Sequence, residues 1–387
     1  MISHVMTVNP GSSGLKLGIY AYTDGRPEQR CKGAIDGSLP GRLHIDAPGG
    51  QSVHDISHGD LARALPEIIG LLCKAADIGR IDAVGHRIVH GGDRFHGPVL
   101  INDEVLADIA GLVPLAPLHQ PRSLMILSAL RDLHPELPQT ASFDTAFHQT
   151  QSPLARRMAL PRALHDAGIR RYGFHGLSYD YIAGTLRQRA ADLARGRVVA
   201  AHLGSGASIC ALHDGQSRDC SMGFSTLDGI PMATRSGRLD PGVLLYMMKT
   251  DGRPLSEVED ILYRRSGLLG LSGFSSDMRD LAGSVLPEAR EAVEIFCLSV
   301  AREITSQATA LGGLDGVVFT AGIGQHIPEI RTRICTHLAW LGVELDPAAN
   351  TGNAFRISGS ASRVACLVIP TDEEAVIARQ ACSLLWP

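Results

Sequence analysis

Short apolar runs separated by glycine and serine recur along this 387-residue chain. Residues 5–8 and 15–20 form one pair of such runs, joined by the turn-forming segment 9–14. Because β-rich runs joined by Gly and Ser are typical of a hairpin, we predict one here. The same pattern returns at residues 198–202 and 209–212, about half the chain later. This spacing predicts two similar domains, each opening with a phosphate-type loop.

The remaining periodicity predicts further strands and helices. Apolar spacing predicts helices over 61–76, 123–133 and 177–194, and apolar runs predict strands over 83–89 and 140–143. A third glycine-containing unit predicts a strand over 316–320, a turn over 321–324 and a helix over 328–340. We expect a helix near residues 150–195 to connect the two halves. Mixed strands and helices indicate an α/β protein.

Composition excludes several classes of protein. Apolar residues make up 44% and charged residues 20%, which excludes a disordered or fibrous chain. The formal net charge of −4 provides no basic field for nucleic acid. No apolar run approaches the about 18 residues of a membrane span, and the N-terminus lacks a secretion-signal pattern. The eight scattered cysteines, without a CxxC pair, argue against a disulfide framework or zinc ribbon and fit a reducing cytoplasm.

The segment 9–16 has the parts of a phosphate cradle. Its small residues let backbone N–H groups approach an anion, Ser12 and Ser13 can donate hydrogen bonds, and Lys16 adds a point charge. Lys16 is one of only 4 lysines in a chain with 32 arginines. A tight hairpin with a solvated lysine is the alternative interpretation. The Walker pattern GxxxxGK[ST] is absent.

Two further positions combine charge with a strand end. Arg87 lies between His86 and His90, beside paired glycines, and arginine suits bidentate capture of carboxylate or phosphate. A salt-bridged strand arginine is the alternative. Asp144 directly follows an apolar strand, which fits either a catalytic or metal-organising carboxylate or a helix N-cap.

Three loop segments complete the candidate chemistry. His175 lies between glycines in a basic loop, and Arg235 lies in another turn. The acidic segment 370–374 opens the last helix, either as a capping box of Thr371 with Glu374 or as a magnesium site. The patterns HExxH and GxSxG and a Cys/His metal set are absent. Two phosphate-type loops, several arginines and a candidate magnesium carboxylate point to phosphoryl transfer, which needs mainly positioning and charge neutralisation.

Taken together, the ordered motifs resemble the acetate kinase family of the acetate and sugar kinase/heat-shock protein/actin superfamily. Twelve blocks spread over residues 5–374 support the resemblance: VNPGSSGLK, GHRIVHGG, LAPLHQP, FDTAFHQT, RRYGFHG, HLGSGAS, SMGFSTLDG, TRSGRLDPG, SGLLGLSG, SDMRD, VFTAGIGQ and IPTDEE.

The resemblance implies a fold, a reaction and an assembly. The fold would be α/β, with duplicated ribonuclease-H-like (actin-like ATPase) domains and a nucleotide cleft between them. The N-terminal domain would span residues 1–150, completed by about 372–387, and the C-terminal nucleotide-binding and dimerisation domain 151–371. The reaction would be acetate + ATP ⇌ acetyl phosphate + ADP with Mg²⁺, or alternatively Mn²⁺. The enzyme would be a cytoplasmic homodimer acting on small molecules, with no nucleic acid or membrane partner.

The resemblance also implies roles for individual residues. The catalytic residues would be Arg87, Asp144, His175 and Arg235. The acyl substrate would contact Arg87, Val89, Leu118, His119, Phe174 and Thr226. The metal would be organised by Asn9 and Glu373. The nucleotide would contact Lys16, His202, Leu203, Gly204, Ser205, Gly206, Asp277, Met278, Arg279, Gly322, Ile323, Gly324, Gln325 and His326.

The chain departs from the family pattern at a few positions, none of them a charged catalytic residue. The departures affect expected affinity and selectivity more than activity. They are Ser205 for Asn, Gln325-His326 for Glu-Asn, Asp372 for Asn, Thr226 for Pro, and Leu177 and Tyr179 in the usual GTSH block.

Three alternative functions stay open at this point. The first is a propionate or other short-chain acyl kinase of the same family, and the second is a pyrophosphate- or polyphosphate-dependent member. The third, from another class, is an actin-like nucleotide-switch protein, which has no use for a carboxylate-gripping arginine. A carboxylate substrate has a pKa near that of Glu, about 4.3, so it is ionised at pH 7 and needs no general base. We therefore expect Asp144 to orient water around the metal or to align groups.

Overall fold

The computed structural model describes residues 2–11, 14–37 and 40–387. The predicted donors Ser12 and Ser13 lie outside these described residues. The chain forms two compact units. Unit 1 comprises Met1–Phe147 and Asp372–Pro387, and unit 2 comprises His148–Thr371.

Unit 1 is built on an eight-stranded sheet with the order β5-β4-β3-β2-β1-β6-β8-β7. Strands β1 and β2 are antiparallel, whereas β1, β6 and β8 run parallel to one another. The strands are β1 (Ser3–Pro10), β2 (Gly14–Thr23), β3 (Arg26–Asp36), β4 (Gly41–Ala47), β5 (Gly50–Ile56), β6 (Ala83–Ile88), β7 (Val99–Leu100) and β8 (Gln139–Phe143).

Helices cover both faces of the unit 1 sheet. The helices are α1 (Leu61–Ala75), α2 (Asp103–Gly111), α3 (Gln120–Leu133) and, from the far end of the chain, α15 (Glu373–Leu385). Successive side chains of a strand point to opposite faces. Met6 and Val8 therefore pack in the cluster that includes Leu65 of α1, whereas Val5 packs in the cluster that includes Ala381 of α15. This explains why every residue of β1 from Val5 onward is buried, as expected for a strand covered on both faces.

A glycine sets how closely α15 approaches the sheet. A Cβ built on Gly85 of β6 would lie 2.7 Å from Ile377 Cγ2 and 3.3 Å from Ala381 Cβ. The helix therefore packs directly against β6. Its first residues lie at the same end of the strands as Asp144, which directly follows β8.

Unit 2 has a five-stranded sheet with the order β11-β10-β9-β12-β13. Its strands are β9 (Arg197–Leu203), β10 (Ala207–His213), β11 (Gln216–Cys220), β12 (Gly316–Thr320) and β13 (Ala365–Val368). Its helices are α4 (Arg162–Asp166), α5 (Gly176–Arg189), α6 (Ala191–Ala194), α7 (Pro241–Lys249), α8 (Leu255–Arg264), α9 (Gly267–Ser272), α10 (Met278–Ala282), α11 (Pro287–Leu311), α12 (Ala321–His326), α13 (Pro328–His337) and α14 (Pro347–Thr351).

The two sheets share one topology. In chain order, the strands of unit 2 are arranged 3-2-1-4-5, with two antiparallel neighbours followed by two parallel ones. The central strands of unit 1, β3-β2-β1-β6-β8, have the same arrangement. The duplicated α/β fold class predicted from the two hairpins is therefore present.

Three local predictions are wrong. The helix predicted over 177–194 is two helices, because Ala190 leaves helical geometry with φ −150° and ψ 60°. The turn predicted over 321–324 is the helix α12, which starts with Ala321 at φ +61°. The connection expected as a helix near 150–195 contains only the short α4 before α5.

The exclusions drawn from composition have structural counterparts. Among the described residues, no helix is long and apolar enough to cross a membrane. All eight cysteines are free thiols.

Candidate active site

A buried cluster of charge lies at one edge of the unit 1 sheet. Arg87 is near the end of β6, Asp144 directly follows β8, and Asn9 is near the end of β1. These three neighbouring strands run parallel, so their carboxyl ends meet at the same edge of the sheet. Glu373 joins them as the first residue of α15.

The Arg87 guanidinium is the centre of this cluster. Its Nη2 donates to Asp144 Oδ2 at 2.6 Å and its Nε donates to Oδ1 at 3.0 Å, which is a bidentate pair. Its Nη1 donates to Asn9 Oδ1 at 3.0 Å and lies 3.8 Å from Glu373 Oε2. Burial by itself would lower the pKa of Arg87, but Asp144 and Glu373 raise it above its usual value. The guanidinium therefore stays charged.

Asn9 links the arginine to the acidic helix start. Its Nδ2 donates to Glu373 Oε2 at 2.9 Å and to Glu374 Oε1 at 2.6 Å. Burial raises the pKa of Glu374, while the charge of Lys16 and the hydrogen bond from Asn9 act in the opposite direction. Lys16 itself is exposed on β2, opposite Asn9 in the hairpin.

The cluster has the composition of a site for a hard divalent cation. Asp144, Glu373 and Glu374 are all at least nine-tenths buried, and Arg87 supplies one positive charge against their three negative ones. Carboxylate and amide oxygens are the ligands that such cations prefer, with waters and substrate phosphates completing the shell. Among the described residues, no group of three or more His, Cys, Asp or Glu is placed to hold a metal ion. The oxygen atoms of Asn9, Asp144 and Glu373 have the chemistry of a partial ligand set, to which waters and a substrate phosphate would add the rest.

The capping of α15 differs from the prediction. Asp372, and not Thr371, is the N-cap, since its Oδ1 accepts from the backbone N–H of Ala375 at 2.9 Å. Its Oδ2 accepts from Lys32 Nζ at 2.8 Å. Glu374 binds Asn9 instead of closing a capping box. Asp372, which stands where the family pattern has Asn, therefore caps the helix.

Unit 2 holds a second group of polar side chains, around the β9–β10 hairpin. The imidazoles of His175 and His202 are stacked with centroids 4.2 Å apart. His175 precedes α5 in a left-handed conformation, φ +57°, and its Nδ1 lies 2.8 Å from Ser208 Oγ. His202 Nδ1 lies 2.8 Å from Ser178 Oγ.

The glycine turn of this hairpin brings His175 and Arg235 together. A Cβ built on Gly206 would lie 3.4 Å from His175 Nε2 and 3.9 Å from Arg235 Nη2. Both nitrogen-bearing side chains therefore approach the same point of the turn, where a Cβ would be in van der Waals contact with each of them. Ser205 is exposed at the tip, and its carbonyl accepts from the N–H of Ala233 at 3.1 Å.

Arg235 is positioned by a loop that is fixed at several points. Its Nη1 donates to the carbonyl of Thr226 at 3.1 Å, and the side chain is 8% exposed. The backbone N–H groups of Ser266 and Leu268 donate to the carbonyls of Thr234 and Met232, one and three residues before Arg235, at 3.0 and 2.8 Å. The arginine thus has little freedom to move.

A buried arginine binds the backbone of the segment 322–326, which is predicted to contact the nucleotide. Arg331 is 0% exposed, and its Nη1 donates to the carbonyls of Gly324 and Gln325 at 2.9 Å each. Its remaining donors bind Asn350 and Asn353 at 2.6 to 2.7 Å. Burial among neutral oxygens lowers the pKa of Arg331 to about 10. It therefore remains positively charged near neutral pH while it caps α12.

The other predicted nucleotide segment is paired within itself. Asp277 is the N-cap of α10 and accepts from the backbone N–H of Arg279 at 2.8 Å. Its carboxylate also binds the Arg279 side chain, with Nη2 at 2.5 Å from Oδ2. Met278 is buried between them.

The residues predicted for the acyl pocket are distributed over both units. In unit 1, Val89 is 2% exposed after β6, whereas Leu118 is 38% exposed and His119 directly precedes α3. In unit 2, Phe174 is 1% exposed and its carbonyl binds His148 Nε2 at 2.9 Å. Thr226 is half-buried beside Arg235.

Comparison with known proteins decides the family. A sequence profile described as the acetokinase family matches residues 4–379. The chain is 49% identical to an acetate kinase of Rhodopseudomonas palustris, over 97% of this chain and 96% of that protein. The chain belongs to the acetokinase family.

Solved structures confirm the fold class that this family membership implies. A propionate kinase from Francisella tularensis superposes with a TM-score of 0.90 at 34% identity and covers 98% of both chains. The Porphyromonas gingivalis acetate kinase superposes with a TM-score of 0.87 at 34% identity, covering 99% of this chain and all of that one. The resemblance noted in the ordered motifs is thereby confirmed.

Several residues that shape these acetokinase-type clusters were not singled out as site residues by the motifs. Glu374 was assigned only to a capping box, although its position beside Glu373 was a usable signal. Tyr179 was noted only as a departure from the family pattern. Ser208 and Arg331 gave no signal, because their partners lie 29 and 19 residues away and only the fold brings them together.

We predict that Arg331→Met destabilises α12 and its surroundings. Three backbone carbonyls lose their donor, and each buried unsatisfied acceptor costs about 1–3 kcal/mol. The expected results are a loss of about 2–4 kcal/mol in the free energy of unfolding and faster hydrogen exchange over 321–326.

Arg333→Ala is the matched control for this change, since Arg333 lies on the same helix but is only partly buried and is paired with Glu329 and Glu294. Its loss should cost less than about 1 kcal/mol. Equal effects of the two substitutions on exchange over 321–326 would contradict the role of Arg331.

Proposed function

We propose that this protein is an acetate kinase, which transfers the γ-phosphoryl group of ATP to acetate and runs reversibly. The proposal rests on the buried cluster of Arg87, Asp144, Asn9 and Glu373 in a chain of this family. A rigid guanidinium beside three carboxylates is suited to one anionic substrate and one divalent cation. A nucleotide switch that binds partner proteins has no requirement for this arrangement.

The reaction needs charge compensation more than proton transfer. Acetate is already ionised at neutral pH, so its oxygen can attack the γ-phosphorus directly, with ADP leaving in line. We assign Arg87 and Arg235 to the carboxylate and the moving phosphoryl group, and His175 to a hydrogen bond with that group. No covalent phosphoenzyme is required. Asp144 then fixes Arg87 and orients water, without acting as a base.

We assign the metal to Asn9 and Glu373, with Asp144 nearby, and take it to be Mg²⁺ or, as a substitute, Mn²⁺. When bound, such an ion neutralises phosphate charge and orients the phosphates. The contribution of this chain is to present oxygen atoms that are already ordered by Arg87 and Asn9, so little freedom is lost on binding.

Nucleotide binding is assigned to three segments of unit 2 and to Lys16. The turn 202–206 offers backbone N–H groups for phosphates, as expected for a glycine loop. The segments 277–279 and 322–326 would contact the adenosine. A Cβ built on Gly322 would meet no described atom within 4 Å, which leaves the start of α12 accessible from outside the protein.

We also propose that the protein is a homodimer, with a second copy covering the region around α7. None of the residues of α7 is buried, and Leu245, Tyr246 and Met248 are 55%, 58% and 43% exposed. Leu239 and Leu255 extend this apolar surface on either side, at 42% and 66%. Large contiguous apolar surface is typical of permanent interfaces between subunits. The free thiols fit a reducing cytoplasm.

The first prediction is that the protein makes acetyl phosphate from acetate and ATP. A hydroxamate assay should give kcat/KM in the order acetate, propionate, butyrate, because overpacking costs about 1–3 kcal/mol and an added methylene gains at most about 0.8. Arg235→Ala should lower kcat by about 100-fold or more, as expected for one preorganised charge-stabilising donor.

The same assay separates the alternatives. Butyrate or propionate as the preferred substrate would identify another short-chain acyl kinase; the Francisella tularensis relative is named a propionate kinase. ATP hydrolysis without acetyl phosphate would identify a nucleotide-switch protein. Pyrophosphate as the preferred donor would identify the third alternative.

A second prediction concerns Asp372, which caps α15 and pairs with Lys32. Asp372→Asn keeps the capping acceptor and loses only the ion pair. Activity titrated against Mg²⁺ should therefore keep its midpoint, while the free energy of unfolding falls by at most about 1 kcal/mol. Glu373→Gln, at the next position, should shift the midpoint to higher Mg²⁺. A comparable shift in Asp372→Asn would place Asp372 among the metal ligands.

The third prediction tests the dimer. Light scattering should give twice the mass of one chain for the unmodified protein and one chain mass for the double variant Leu245→Asp, Tyr246→Asp. Val53→Asp is the control, since Val53 is 53% exposed on β5 of unit 1. A monomeric unmodified protein would refute the proposal.

A further inference from the structure

His175 is connected to a chain of two buried hydroxyl groups. Ser208 Oγ on β10 lies 2.8 Å from His175 Nδ1 and 2.6 Å from the phenol oxygen of Tyr179. Tyr179 follows His175 by one turn of α5, and both Tyr179 and Ser208 are 0% exposed. Ser208 is thus in hydrogen-bond contact with both side chains.

The number of protons limits the directions of these hydrogen bonds. Burial raises the pKa of Tyr179 well above its usual value of about 10, so its oxygen carries a proton, and a backbone hydrogen bond from His202 reaches the same oxygen. Either hydroxyl group can be the donor between Tyr179 and Ser208, and a serine hydroxyl has only one proton to give. When the phenol donates to Ser208 Oγ, the Ser208 proton is left for His175 Nδ1.

We propose that Tyr179 and Ser208 are positioning residues that hold His175 as the neutral tautomer with its proton on Nε2. That nitrogen is the one that faces Gly206 and Arg235, at 3.4 Å from a Cβ built on the glycine. The tautomer therefore presents an N–H donor, and not a lone pair, on the side of the glycine turn. The acceptor of this hydrogen bond rests on the proposed function, in which it is an oxygen atom of the phosphoryl group.

Two neighbours constrain the imidazole of His175. Arg235 Nη2 approaches the same point of the turn as His175 Nε2, and a like charge nearby disfavours protonation of an imidazole. The ring of His202 is stacked at an interplanar angle of 13°, which fixes the plane in which the Nε2–H bond points. The donor is thus fixed in tautomer and in direction.

The tautomer can be measured directly by ¹⁵N NMR on protein labelled in histidine. At pH 8 the His175 resonances of the unmodified protein should have the two-bond coupling pattern of an Nε2–H imidazole. In Tyr179→Phe, Ser208 no longer receives the phenol proton and can accept one from His175 Nδ1, so this variant should populate the Nδ1–H tautomer. In Ser208→Ala the hydrogen bond at Nδ1 is lost, so the ratio of the two tautomers should move toward that of a free imidazole.

The rate constant kcat should change together with the tautomer of His175. In each variant kcat should fall about 3- to 30-fold, the equivalent of one misdirected hydrogen bond, with KM for ATP and acetate within about twofold. Tyr172→Phe is the matched control, because it removes another buried phenol hydroxyl, bound to the Gly168 carbonyl at 2.7 Å. It should change neither the His175 tautomer nor kcat.

Several outcomes would overturn the proposal. An Nδ1–H tautomer or an imidazolium in the unmodified protein at pH 8 refutes it, and this measurement does not depend on whether a variant folds. Unchanged tautomer and kcat in folded Tyr179→Phe also refute it. Absence of acetyl phosphate formation by the unmodified protein would refute the proposed function and leave the tautomer result standing.

Discussion

The geometry of the unit 1 cluster depends on one buried guanidinium. Three carboxylates enter a region that is nearly closed to water, and Arg87 is their central cation. Removing one partner of a buried pair costs about 3–5 kcal/mol, because the remaining charge is uncompensated. The same bonds that stabilise the fold therefore fix the positions of Asp144, Asn9 and Glu373. The contacts that hold the site residues ready for a ligand are thus the same contacts that stabilise the folded unit.

The two units share one topology but have side chains of opposite charge at equivalent positions of it. In unit 1 the end of the first strand is next to an acidic cluster, with Asn9 opposite Lys16 in the neighbouring strand. In unit 2 the corresponding turn brings together an imidazole and a guanidinium, with His202 opposite Ser208. Phosphoryl transfer from a metal-bound nucleotide needs both kinds of surroundings, oxygen ligands for a cation and donors for anionic oxygens. In the proposed function, each unit supplies one of these surroundings from an equivalent position of the duplicated fold.

Much of this was predictable, because hairpins, apolar strands and charged strand ends are local patterns. Both hairpins and the strands around Arg87 and Asp144 lie where the apolar runs indicate. Features decided by long-range packing were not predictable. Asp372 caps α15 in place of Thr371 because Glu374 is bound to Asn9, more than 360 residues earlier. The pairing of Tyr179 with Ser208 likewise exists only once α5 lies beside β10.

The position of α15 has a consequence for biosynthesis. Its contacts with β1 and β6 belong to unit 1, yet all of unit 2 is translated between β8 and this helix. At ordinary elongation rates, about 220 intervening residues correspond to roughly 10–45 s. During that interval β6 has an apolar face without its covering helix, and Arg87 lacks one of its carboxylates. Unit 1 can therefore reach its final form only after unit 2 has been made, so nascent chains of this protein have a defined period in which chaperones have apolar surface to bind.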